Sequence, residues 1–214
     1  MTKVVLAARN VHKVVLATRN AHKVIELREI LADLAQEIGL EVVGVTDFPE
    51  VDDVVEDGVT FAENATLKAV AVARATGLPA IADDSGLAVD VMGGAPGIFS
   101  ARWSGAHGSD RANVDLLLGQ LGDVRDEDRA AGFVCAAALA MPDGTVVVRE
   151  GQVRGTLTRA PRGTNGFGYD PILLVDGDTR TLAEYDNEQK NAISHRGKAL
   201  RALAPDLRAL LADR

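Results

Sequence analysis

The sequence predicts an α/β fold with a mixed β-sheet. Three observations carry that expectation. β-branched runs alternate with helical patterns through the first half, two apolar runs joined by a tight turn read as a β-hairpin in the second, and the composition supplies an aliphatic core. The chain has 214 residues, 47% of them hydrophobic and 25% charged, with only five Phe, two Tyr and one Trp. A domain of this size buries roughly 70% of its unfolded surface, so it needs no disulfide staple. Its single cysteine, Cys135, lies inside the apolar run Phe133–Met141 and reads as a small core residue rather than a reactive thiol. No apolar run approaches the roughly 20 residues that span a bilayer. The Val4–Ala8 run, closed by Arg9, is too short for the apolar region of a signal peptide. The expectation is a cytoplasmic protein with no membrane partner. A net charge of −8 and a pI near 5.0 argue against a nucleic-acid backbone binder, which depends on excess Lys and Arg. A small phosphorylated ligand needs only local positive charge.

The elements follow in order. Lys3–His12 and Lys13–His22 are identical at eight of ten positions, each a short β-branched strand running into a polar turn. Only the second copy leads into a helical pattern, Val24, Leu27, Leu31, Leu34 and Ile38, so it is the working strand–turn–helix unit. Residues 1–12 are thus expected to be a duplicated strand and turn, either an extra edge strand or a disordered or loosely attached arm, and 13–214 one domain. Leu40–Val45 reads as a strand and Val51–Gly58 as an acidic loop. Thr60 with Glu63 forms a capping box opening a helix to about Thr76, stopped by Gly77 and Pro79. Pro79–Ala82 is a buried strand ending at Asp83-Asp84-Ser85-Gly86, Leu87–Val91 a further strand and Gly93–Gly97 a tight loop. Ser109 caps a helix to about Leu121. Ala131–Met141 and Thr145–Val153, joined across Pro142-Asp143-Gly144, form the hairpin. Arg162–Asp170 is a glycine-rich loop, Pro171–Val175 a strand, and the rest mostly helical with an interruption near Pro205.

Four segments carry chemistry. Thr18-Arg19-Asn20-Ala21-His22-Lys23 ends a strand and starts a helix, placing backbone N–H groups and a lysine where an anion sits. Asp83 and Asp84 alternate in direction, so one faces a cleft while the other turns away. Glu56, in the acidic loop, can supply a second carboxylate to a metal; magnesium suits so sparse a set because it keeps waters and takes phosphate oxygens. No clustered His/Cys spacing marks a zinc site. Phe167, Gly168, Tyr169 and Asp170 put aromatics among glycines, where backbone can approach a flat ligand and a ring can stack on it. Lys190, His195 and Arg196 gather positive charge around a helix start. Taken singly, each segment also reads as a cap, a turn or a solvated surface.

Together they resemble the inosine triphosphate pyrophosphatase family from about Lys13 onward. The resemblance rests on Thr18-x-Asn20-x-x-Lys23, Gly58-x-Thr60-Phe61-x-Glu63-Asn64-Ala65, Ala82-Asp83-Asp84-Ser85-Gly86-Leu87 and Gly94-x-Pro96-Gly97 with Ser100-Ala101-Arg102. Gly166-Phe167-Gly168-Tyr169-Asp170-Pro171 and Ser194-His195-Arg196-Gly197 complete it. The added first copy departs from the family pattern. The resemblance implies two lobes around a long mixed sheet flanked by helices, a nucleotide cleft between them, and a homodimer. It implies Mg2+-dependent hydrolysis of ITP, dITP and XTP to the monophosphate and pyrophosphate. Asp84 would be catalytic and a metal ligand with Glu56, and Thr18 to Lys23 would hold the triphosphate. Ser85 would contact substrate, Phe167 to Asp170 form the base pocket, and Lys190, His195 and Arg196 complete nucleotide binding. Two alternatives stay open: a pyrophosphatase for another modified nucleotide, and a nucleotide sensor without turnover.

Overall fold

The computed structural model describes residues 12–106 and 108–212. The strands are β1 (His12–Leu16), β2 (Leu40–Gly44), β3 (Ala80–Val89), β4 (Ala130–Ala140), β5 (Val146–Leu157) and β6 (Leu173–Val175). The helices are α1 (Ala21–Ile38), α2 (Phe61–Thr76), α3 (Asp110–Gln120), α4 (Asn187–Ile193) and α5 (His195–Ala212). The six strands form one mixed sheet in the order β2-β1-β3-β4-β5-β6. β1 pairs parallel with β2 and β3, whose connections pass through α1 and α2; the remaining neighbours are antiparallel. The second copy of the repeat supplies the body of β1 and the start of α1, while most of the first lies outside the described residues.

Local chemistry sets the boundaries. Asn20 caps α1, its side chain accepting from the amides of His22 and Lys23, and Gly39 ends the helix in the left-handed conformation. The Thr60–Glu63 capping box forms as expected, and α2 stops at Gly77. Three expectations need correction. β3 does not end at Asp83: it runs unbroken through Asp83, Asp84, Ser85 and Gly86, because each pairs with β4 (Ala137, Ala136, Cys135 and Val134) and ladder bonds outweigh weak strand propensity. α5 runs through Pro205, which sits on the exposed face, where the carbonyl it leaves unbonded can be hydrated. Ser109 occupies the cap position of α3, but its side chain makes no cap bond.

Three apolar clusters define the two lobes. On one face of the sheet Val14, Leu16, Ile81, Ala137 and Leu139 pack against Leu27 and Leu31 of α1 and Leu200 and Leu203 of α5. On the other, Ala80, Ala82, Ala136 and Ala138 meet Ala65, Ala69 and Val72 of α2, small side chains that let the helix lie close to the strands. The third gathers Leu87, Phe133, Val153 and Leu157, from the far reaches of β3 to β5, with Val114 and Leu117 of α3 and Leu173 of β6. The long central strands serve both lobes, and the acidic pair falls midway along β3, where the packing changes from one lobe to the other.

Candidate active site

A cleft of about 940 Å³ opens at that change-over. Thr18, Arg19, Asn20, Lys23, Glu56, Asp84, Ser85, Phe167, Gly168, Tyr169, Asp170, Lys190, His195 and Arg196 all line it. Ala21 and His22 do not: Ala21 opens α1, and the His22 ring stacks on Phe167 with centroids 5.7 Å apart.

At one end of the cleft is the turn between β1 and α1. The amides of His22 and Lys23 already bond to Asn20 Oδ1, at 3.0 and 3.2 Å, so the expected cradle of open N–H groups is narrower than its sequence suggests. Arg19 is held by Asp53 and the carbonyl of Val51. The Thr18 hydroxyl accepts from Asn20 N and keeps its own proton to donate. The Lys23 ammonium lies 3.1 Å from Asp83 Oδ2.

In the middle, the alternation of β3 sends the two carboxylates to opposite faces. Asp83 points toward α1 and α5, bonded to Lys23 and, at 3.1 Å, to Arg196 Nε. Burial opposes its ionisation, but Lys23 and Arg196 outweigh burial and hold the carboxyl far below the usual carboxylate range. Asp84 points toward α2, where Asn64 Nδ2 donates at 3.2 Å and Lys68 Nζ lies 3.7 Å away. Burial raises its pKa, with Lys68 pulling the other way. Lys68 also sits 3.1 Å from Glu56, so one ammonium lies between the two carboxylates proposed to hold a metal. Two carboxylates converging on one cation form a sparse donor pair, of the kind taken by a divalent cation that keeps waters and phosphate oxygens. Among the described residues no group of three or more His, Cys, Asp or Glu side chains gathers to hold a metal ion.

The loop 162–170 faces the start of α5 and touches the β1–α1 turn through the His22–Phe167 stack. Gly151 of β5 lets that helix come close, since a Cβ there would collide with the backbone of His195 and Ala199. Arg196 thereby reaches Asp83, Ser85 Oγ at 2.9 Å and the Glu26 carboxylate. Lys190 is clasped by Glu26 at 2.6 Å and Asp170 at 2.8 Å; burial disfavours its charge, but these partners prevail and raise its pKa. His195 is buried, stacked on Phe133 with centroids 4.7 Å apart, and its Nδ1 has no partner. Burial first, then Arg196, pulls its pKa well below the ordinary value, so the ring is neutral. The Tyr169 hydroxyl is committed to the carbonyl of Ser100, which makes Tyr169 a wall of the cleft rather than a hydrogen-bonding group within it.

Glu26 and Lys68 carry no role in the sequence reading; Asn64 enters it only within the family motif, and Asp83 only as the alternating neighbour of Asp84. Asn64 and Lys68 were open to discovery as polar residues four apart on an otherwise alanine-rich helix face. Glu26 carried no comparable signal, since its partners Lys190 and Arg196 lie more than 160 residues away.

An α/β protein in two lobes, with a carboxylate pair between a basic turn and an aromatic loop, has a cleft suited to an anion joined to a flat ring. This chain belongs to the Ham1 family, whose model matches residues 14–206. It is 65% identical to the dITP/XTP pyrophosphatase of Streptomyces avermitilis over 99% of this chain and 100% of that one. It is 54% identical to the enzyme of the same name from Nocardia farcinica over 100% of this chain and 98% of that one. Among solved structures, a HAM1 protein from Coxiella burnetii superposes with a TM-score of 0.83 at 42% identity, over 92% of this chain and 99% of that one. The dITP/XTP pyrophosphatase of Mycobacterium abscessus gives 0.73 at 51% identity, over 90% of this chain and 99% of that one.

Proposed function

We infer that this protein is a nucleoside-triphosphate pyrophosphatase that hydrolyses the non-standard purine nucleotides ITP, dITP and XTP to the monophosphate and pyrophosphate, cleansing the nucleotide pool. The observation that carries this reading is the placement of Asp84 and Glu56 around one cation, in the cleft that the Thr18–Lys23 turn and the Phe167 loop also line. The printed activity of the full-length relatives supports it.

The geometry supports a role for each residue. A nucleoside triphosphate carries about four negative charges, and Lys23 with the Thr18 hydroxyl meets them at the β1–α1 turn. Phe167 stacks on the base, and Lys190 and Arg196 complete the nucleotide's contacts. The Nδ1 of His195, buried without a partner, is satisfied by a polar group of the ligand. Ser85, next to Asp84 and bonded to Arg196, contacts the substrate. Asp84 orients a water toward the α-phosphorus and takes its proton, a task for which a raised carboxylate pKa is favourable. The new P–O bond forms as the bond to the bridging oxygen breaks, and pyrophosphate leaves. Magnesium, held by Glu56 and Asp84, supplies neutralisation of the phosphate charge when bound. A 6-oxo base offers an acceptor where adenine offers a donor, so donors at the base end reject ATP.

Residues 13–214 form the single pyrophosphatase domain in this reading, which acts as a cytoplasmic homodimer. No helix among the described residues is long and apolar enough to cross a membrane. The reading is tested by hydrolysing ITP in ¹⁸O water and analysing products. Label in the monophosphate with unlabelled pyrophosphate supports attack at the α-phosphorus; inosine diphosphate and phosphate would overturn it.

A further inference from the structure

The geometry points to Asp110 as a positioning residue for base recognition, clamping the tip of the loop that presents Phe167. The inference rests on the nucleotide reading above and adds a residue that makes no contact with the ligand in that scheme. The root of loop 162–170 is well anchored: the amides of Thr164 and Asn165 bond to the carbonyl of Ala183, and Asn165 Nδ2 to that of Tyr185. The tip is different. It turns through Gly166 and Gly168 at φ of 74° and 62°, and glycines resist backbone movement least. Its fixed shape therefore depends on ties to something else.

One tie is internal, from Phe167 N to Asp170 Oδ2 at 2.9 Å. Two come from other segments and grip consecutive residues: Tyr169 through the Ser100 carbonyl at 2.9 Å, and Gly168 N through Asp110 Oδ2 at 2.8 Å. Ser100 is itself fixed to the acidic strand, its hydroxyl accepting from Leu87 N, with Gly86 leaving no room for a Cβ beneath it. The buried tie thus registers the loop against β3. Asp110, the first residue of α3, provides the exposed one. Its carboxylate makes a charge-assisted bond and is favoured at a helix N-terminus. The Gly168 amide shares a peptide plane with the Phe167 carbonyl, so holding it fixes the backbone that aims the Phe167 ring.

The test uses the full chain with Asp110→Ala and Asp110→Asn. Hydrogen exchange without nucleotide should quicken across 162–170 in the alanine variant and return toward wild type in the asparagine variant, whose side-chain oxygen still accepts. With ITP, Asp110→Ala should raise KM about tenfold with little change in kcat. The Ki of tripolyphosphate, a competitor with no base, should stay put. Unchanged exchange, a parallel rise in the tripolyphosphate Ki, or an asparagine variant as impaired as alanine overturns the assignment. A wild-type protein that leaves ITP intact overturns the nucleotide reading and the base-recognition role with it, while the exchange result separately decides the clamp.

Discussion

Asp83 and Asp84 are neighbours in one strand, yet their carboxylates lie on opposite faces of the sheet: Asp83 bonds to Lys23 and Arg196, Asp84 to Asn64 beside Lys68. The same chemical group therefore has two different environments. Asp83 holds two cations through its Oδ2, while burial raises the pKa of Asp84, which faces the cleft.

The two residues should separate cleanly on substitution. Asp84→Asn is expected to abolish hydrolysis while the protein keeps its fold and its melting temperature within a few degrees. Asp83→Asn leaves Lys23 and Arg196 without their shared buried anion, a loss of about 3–5 kcal/mol. Thermal unfolding of both variants checks this. Near-normal turnover in the first, or an undiminished melting temperature in the second, contradicts the division of labour.

How much of this was legible in the sequence differs from element to element. The alternation of Asp83 and Asp84 follows from strand geometry alone, and the caps at Asn20, Thr60 and Gly77 are local chemistry, so all were readable. The continuity of β3 was not, because Asp, Ser and Gly are weak strand formers and the pairing that holds them comes from β4, some fifty residues away. The Lys68 ammonium between Glu56 and Asp84, and Glu26 between Lys190 and Arg196, are products of tertiary packing. Periodicity marks which helix face is buried, but not which charges meet across it.

Glu56→Gln should shift the magnesium titration of activity to higher concentration, since one of two carboxylates is lost, while saturating metal restores part of the rate. Activity measured across a magnesium series with chelated controls checks this. An unmoved titration curve removes Glu56 from the metal.

Phe167→Ala should raise the KM for ITP by roughly 5- to 150-fold, the range expected when an aromatic stacking partner worth about 1–3 kcal/mol is removed. Steady-state kinetics decide the point. A KM within twofold of wild type would mean that the ring does not meet the base.

Cys135 offers a test by pH. Burial pushes its thiol up to about 12, against an ordinary value of 9.0. Above the lower value the unfolded chain gives up this proton while the folded one keeps it. Stability from this group is therefore complete below pH 9 and falls as pH rises toward 12, by roughly 1.4 kcal/mol per pH unit. Cys135→Ala should flatten that part of the stability profile, and the native thiol should resist alkylation at pH 8. Rapid labelling of the folded protein contradicts its burial.

The most direct measurement is pyrophosphate release from ITP, dITP, XTP, GTP and ATP side by side, with magnesium and with EDTA. Fast, metal-dependent release from the first three and little from GTP and ATP is the predicted result. Equal release from all five, or none from ITP by a folded protein, would contradict it.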